Sequence, residues 1–172
     1  MQKHNCVDIH LHSSFSVDSQ ASIESMCESA INKNCLAIAF TEHFDLNPND
    51  DGFGYFDSEA YSKAIESARK KYSKEIKVLK GIEFSEPHLY KKEFQAFVDS
   101  DYDVIICSVH WVGGFYAGGK DFLEHFGLRN AFAEYYKIVL KAVEYGGFDV
   151  LGHFDFPKRY FKENVTRLTI ID

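Results

Sequence analysis

Five short apolar runs, each ending in a histidine or a carboxylate, alternate along the chain with four amphipathic stretches. The runs are "CVDIHLH" from Cys6, "CLAIAFTEH" from Cys35, "IKVLKGIE" from Ile76, "DVIICSVH" from Asp103 and "FDVLGH" from Phe148. Most are nearly continuous in apolar residues, the pattern of parallel strands covered on both faces. "SIESMCESAINKN" predicts a helix capped by Ser22, with Ile23, Met26, Cys27, Ala30 and Ile31 on one face. "SEAYSKAIESARKKYSKE" predicts a second, capped by Ser58, with Ala60, Tyr61, Ala64, Ile65 and Ala68 at helical spacing. "PHLYKKEFQAFVDS" and "LRNAFAEYYKIVLKAVEYGG" predict two more, the last stopping at Gly146 and Gly147. Strand alternating with helix predicts an α/β sheet or barrel. Residues 45–57 and 111–122, rich in Gly, Asn and Asp with interleaved aromatics, are expected loops on one rim, because both follow strands.

A chain of 172 residues closes one sizeable core, and no compositional break divides it, so a single domain over 1–172 is expected. Its 45% hydrophobic and 16% aromatic content excludes disorder. The net charge of −7, with no basic run beyond Arg69, Lys70 and Lys71, speaks against a nucleic-acid partner. The first ten residues lack a signal peptide's apolar core, and the longest apolar run, "CLAIAF", is too short to span a bilayer. No membrane partner and a cytoplasmic location are therefore expected. Cys6, Cys27, Cys35 and Cys107 form no metal-type pair; they read as small hydrophobes with no disulfide framework.

Active sites of α/β folds lie at the carboxyl ends of their strands, which is where the ligand-type residues fall. The first run ends in His10 and His12, which share a face because strand side chains repeat every two residues. The others end at Glu42 and His43, at Glu83, at His110 and at His153, and Asp18 follows His12 by six residues. Gathering this many imidazoles and carboxylates on one rim strands desolvated polar groups unless cations compensate them. His10, His12, Asp18, His43, Glu83, His110 and His153 are too many for one ion, and two or three bridged by Glu83 are expected. Mixed nitrogen and oxygen ligation without thiolate suits Zn, Mn or Fe. Such a cluster suits in-line hydrolysis of a phosphate ester. Asp8 and Glu42 are candidates to orient ligands from behind. His4, His88 and His125 are expected to be solvated.

The motifs "DIHLHSSFSVDS", "AFTEH", "KGIEFSE", "DVIICSVHW" and "FDVLGHFDFPKRYF" together resemble the polymerase-and-histidinol-phosphatase (PHP) superfamily, the last two its histidinol-phosphatase branch. The resemblance implies a distorted (β/α)7 TIM-like barrel with a trinuclear metal site whose metal-bound hydroxide hydrolyses phosphoesters. It places His10, His12 and Glu83 on a first ion, Glu83, His110 and His153 on a second, and Asp18 and His43 on a third. It also puts Arg159, in "PKRY", near the substrate phosphate, which a guanidinium fork matches, and Trp111 on the pocket wall. The family supplies further ligands from a late Asp-x-His motif, which does not occur after His153. A (β/α) barrel usually takes about 250 residues. The expectation is therefore an incomplete barrel of about five βα units lacking its C-terminal portion, with open edges prone to self-association. The implied activity is hydrolysis of L-histidinol phosphate in histidine biosynthesis, the alternatives being another small phosphate or nucleotide, or a non-catalytic metal-binding fragment.

Overall fold

The computed structural model describes residues 6–161. Five strands, β1 (Cys6–Leu11), β2 (Cys35–Phe44), β3 (Lys77–Ser85), β4 (Val104–Ser108) and β7 (Val150–Leu151), form one parallel sheet whose neighbours follow chain order. Helices α1 (Ile23–Asn32), α2 (Ser58–Tyr72), α3 (Lys91–Val98), α4 (Lys120–Phe126) and α5 (Leu128–Tyr145) supply the crossovers, and α6 (Phe156–Tyr160) follows β7. Five βα units in this order are a stretch of barrel wall, as expected. Among the described residues β1 and β7 are the two edges, and each has one strand neighbour.

Local chemistry accounts for most boundaries. Ser22 caps α1 by accepting from the Ser25 amide at 3.1 Å, and Ile23, Cys27 and Ala30 are buried against the sheet. The cap of α2 is Asp57 rather than Ser58: its carboxylate accepts from the Glu59 and Ala60 amides, where negative charge also complements the helix dipole. Gly146, at φ +70°, ends α5 as the sequence predicts. The helix expected from Pro87 starts only at Lys91, because Glu86, at φ +49°, opens a turn that the Leu89 amide closes onto the Glu86 carbonyl.

Three expectations about coverage change. β1 is not covered on both faces: Val7 is 52% exposed, as befits a sheet edge. The segment 111–122 is not a plain loop. Trp111–Val112 (β5) and Phe115–Tyr116 (β6) pair as an antiparallel hairpin turned by Gly113 and Gly114, both at positive φ, and α4 follows at once. The last run shortens to Val150–Leu151, leaving His153 just beyond the strand. The four cysteines are free; Cys27 and Cys107 are buried and Cys35 is half-buried, whereas Cys6 is exposed on the edge strand.

The core divides across the sheet. One cluster packs α1 and α2 on β2 through Ile23, Ile38, Phe40, Tyr61 and Ile65. Another joins α4 and α5 to β4 through Cys107, Phe122, Phe132, Tyr135 and Val139. None of the described helices is long and apolar enough to cross a membrane.

Candidate metal centre

Sheet register brings the strand ends together. His43 on β2 pairs with Glu83 on β3, and Glu83 with Ile106 on β4, so the Glu83 side chain lies between the ends of the flanking strands. Its carboxylate is fully buried. Oε2 lies 3.1 Å from His10 Nε2, 3.0 Å from His12 Nε2 and 3.5 Å from His43 Nδ1; Oε1 lies 2.8 Å from His153 Nε2 and 3.7 Å from His110 Nε2. The Ser108 hydroxyl also donates to Oε1. Five imidazoles thus surround one carboxylate. On the outer side, His12 Nδ1 contacts both Asp18 oxygens at 3.1 Å, and His43 Nε2 lies 3.6 Å from Asp18 Oδ2.

All seven residues expected as ligands converge. His10, His12 and Glu83 form one group able to hold an ion, Glu83, His110 and His153 a second, and His12, Asp18 and His43 a third, the last with His12 added to the expected pair; His43, Asp45 and His110 form a fourth that was not expected. The donors are nitrogen and oxygen throughout. His12 Nε2, His43 Nδ1 and His153 Nδ1 are buried without a hydrogen-bond partner. Around a buried carboxylate the orphaned His12 Nε2 and His153 Nδ1 suit divalent cations, which would satisfy them, whereas His43 Nδ1 also faces Asp45 Oδ2 at 3.3 Å.

Electrostatics follows from the same contacts. Burial pushes the Glu83 carboxyl up, but the surrounding imidazoles overcome it and hold its pKa well below the carboxylate range. Burial lowers His43, yet Asp18, Asp45 and Glu83 raise it to about 10. His110 follows the same balance, raised by Asp45 and Glu83. Without an ion, protons on His12, His43 and His110 supply the compensating charge.

Three buried acids complete the surroundings. Asp45, absent from the sequence reading, is 4% exposed; its Oδ1 lies 3.0 Å from His110 Nδ1 and accepts from the Ser85 hydroxyl, and its Oδ2 lies 3.3 Å from His43 Nδ1. Its two-residue spacing from His43 was a signal of the kind that joins His10 to His12. Glu86 accepts from the amides of His110, at 2.5 Å, and Trp111, at 2.9 Å, so it fixes the bend after β4; burial raises its pKa to about 7. It closes the motif "KGIEFSE", but nothing local shows that it receives two amides from beyond β4. Glu42 is buried but touches no imidazole. It accepts from the Ser13 amide and from the hydroxyls of Ser13, at 2.6 Å, and Ser16, at 2.5 Å, so it anchors the turn between His12 and Asp18 instead of orienting a ligand. Asp8 is exposed and its carboxylate accepts from the His10 amide at 3.3 Å, so it turns to the backbone and, among the described residues, contacts no imidazole.

His125 is exposed, stacked on Phe115. His88 is not solvated: the turn after β3 tucks both ring nitrogens away without partners, and burial, then Lys141 and Lys91, lower its pKa. His4 lies outside the described residues.

A cavity of about 930 Å³ opens over these groups, walled by Trp111, Tyr116, Phe156, Arg159 and Tyr160 and by Asn49, Asp50 and Asp51 of the 45–57 loop. A 2.7 Å hydrogen bond from the Trp111 indole to Asp50 ties the hairpin to that loop. Gly52 lets the loop close: a Cβ there would lie 3.1 Å from Asp45 Oδ2. Arg159 is exposed, with no ion pair among the described residues, and its guanidinium carbon lies 5.9 Å from the centre of the Tyr160 ring.

Comparison with known proteins agrees with this geometry. A probable histidinol-phosphatase of Clostridium acetobutylicum is 31% identical over 155 residues, 89% of this chain and 58% of that protein. A histidinol-phosphatase of Lactococcus lactis is 30% identical over 158 residues, 90% of this chain and 58% of that protein. The chain thus spans 58% of the length of these relatives. The crystal structure of histidinol phosphate phosphatase from Lactococcus lactis, complexed with zinc, L-histidinol and phosphate, superposes with a TM-score of 0.82 at 29% identity, covering 89% of this chain and 59% of that one. A putative histidinol phosphatase from Listeria monocytogenes shares the fold, with a TM-score of 0.77 at 16% identity over 96% of this chain and 77% of that one. Residues 8–169 match the PHP domain. A match running from within β1 to beyond α6, over strand ends that converge as its motifs require, makes this chain a member of the PHP domain family.

Proposed function

We propose that the chain carries the metal centre of a phosphomonoester hydrolase and that its substrate is L-histidinol phosphate. The observation that carries this reading is the Glu83 carboxylate, fully buried among five imidazoles beneath an open cavity. The substrate is suggested by the zinc, L-histidinol and phosphate bound to the similar Lactococcus lactis protein.

His10, His12 and Glu83 would hold one divalent ion, Glu83, His110 and His153 a second, and Asp18 and His43, joined by His12, a third, with zinc, manganese or iron suited to the donors. Bound there, such ions supply Lewis acidity that polarises a phosphoryl group and acidifies water. Arg159, on the cavity wall and without an ion pair among the described residues, presents a planar fork to phosphate oxygens. Trp111, fixed by Asp50 of the 45–57 loop, bounds the cavity and limits the substrate's orientations. The partner implied is a small phosphorylated molecule.

The test is elemental analysis of the purified chain together with phosphate release from L-histidinol phosphate, with zinc or manganese added. Two or more ions with turnover support the reading. Metal without turnover, in this chain and in a form extended to the relatives' full length, would overturn the enzyme reading in favour of a metal-binding module. Turnover of other phosphomonoesters but not this one would overturn the substrate.

A further inference from the structure

The two oxygens of Asp45 face two different imidazoles. Oδ1 lies 3.0 Å from His110 Nδ1, within a cluster that includes the Ser85 hydroxyl, and Oδ2 lies 3.3 Å from His43 Nδ1. The opposite nitrogens of the two rings point elsewhere: His110 Nε2 towards Glu83, at 3.7 Å, and His43 Nε2 towards Asp18, at 3.6 Å. A histidine that ligates through Nε2 carries its proton on Nδ1, and that N–H needs an acceptor. For His110 the acceptor is Asp45. For His43 the choice lies between Asp45 and Glu83, the latter 3.5 Å away. Glu83 is already crowded by four other imidazoles and the Ser108 hydroxyl, whereas His43 is the one ion-pair contact of Asp45 Oδ2 among the described residues.

We propose that Asp45 is a positioning residue shared by two ion sites, accepting Nδ1–H from both His43 and His110 and so turning both Nε2 atoms to metal. This rests on the reading that these histidines hold ions. One buried carboxylate then sets the tautomer of a ligand to the second ion and of a ligand to the third. The site at His10 and His12 has no contact with it. Asp45 is buried because Gly52 closes over it and Ser85 holds it from β3, so its orientation is set by packing and survives changes in solvent.

Nitrogen-15 NMR of the zinc-loaded chain tests this without a variant: both rings should show Nδ1–H with metal on Nε2. The opposite tautomer in either ring overturns the proposal. Asp45→Asn offers one acceptor and one donor where the carboxylate offered two acceptors, so one ring must take the Nε2–H form and leave its ion. In competition titrations the affinity for one ion should fall about 10- to 100-fold. Asp45→Ala should weaken two. Wild-type affinity and a full complement in Asp45→Asn would overturn the proposal alone. Failure of the wild-type chain to take up any ion would overturn it together with the metal reading, and intact metal binding without phosphatase activity would leave it standing while removing the proposed function.

Discussion

Glu83 is held by charge rather than by solvent. A fully buried carboxylate is costly unless compensated, and here five imidazoles surround it, of which His12, His43 and His110 are raised towards the protonated form when no cation is held. That choice makes the metal-free chain sensitive to pH. His43, raised to about 10, contributes stability that is complete below about pH 6.5 and is lost as the pH rises through its folded value, and His110 and His12 add in the same direction. The lowered Glu83, Asp18 and Asp45 contribute stability that is present above about pH 4 and lost as the pH falls. Both halves of these pairs are charged between those limits, so the Tm of the metal-free chain should peak near pH 5 to 6 and decline towards about pH 9. Divalent ions need unprotonated imidazoles, so the Tm gained on adding zinc should be larger near pH 8.5 than near pH 5.5, as thermal melts with and without chelator would show. A metal-induced gain that shrinks as the pH rises would contradict this. At the cavity wall, Arg159→Ala should raise KM for a phosphomonoester about ten- to a hundredfold, the cost of losing a charged hydrogen bond, with a smaller effect on kcat. An unchanged KM in steady-state kinetics would remove Arg159 from phosphate binding.

At the scale of elements, the site depends on the close fit of β2 and β3, since that register sets His43 beside Glu83. Gly81 marks how close it is: a Cβ there would lie 2.5 Å from Thr41 Cγ2 and 2.8 Å from the Phe40 carbonyl. The buried Tyr61 hydroxyl of α2 locks the same place, donating to the Phe40 carbonyl at 2.7 Å and accepting from the Gly81 amide at 3.1 Å. Gly81→Ala should cost about 1–3 kcal/mol, read as a fall in chemical-denaturation midpoint with little change in m-value. An unaltered midpoint would mean that the strands part without cost. The predicted elements differ from the observed ones where tertiary contacts compete with local preference. The hairpin at 111–116 is visible in its two glycines only after β4 has placed Trp111 against Asp50. The helix expected from Pro87 loses its first turn because Glu86 is needed to receive the amides of His110 and Trp111.

For the whole molecule, the two sheet edges among the described residues matter most. β1 exposes Val7 and Ile9, and α5 exposes Tyr136, Leu140 and Val143 along one stripe. Strand edges with one neighbour among the described residues, and exposed apolar surface, both favour association. The chain should self-associate with rising concentration in sedimentation velocity, and Val7→Lys with Ile9→Lys should shift it towards monomer; a distribution unchanged by these substitutions would exclude β1 from the contact. Within the amino-acid sequence alone, the α/β class, the five strand runs and the convergence of the seven ligand-type residues were legible, because continuous apolar runs, period-3.6 patterns and strand-end positions are local properties. The roles of Asp45, Glu86 and Glu42 were not. A carboxylate in a polar segment looks the same whether it faces water, two imidazoles, two amides or two serine hydroxyls. Only the register of β2, β3 and β4 and the closure of the loops over their ends decide which groups it meets, and those depend on residues tens of positions apart in the chain.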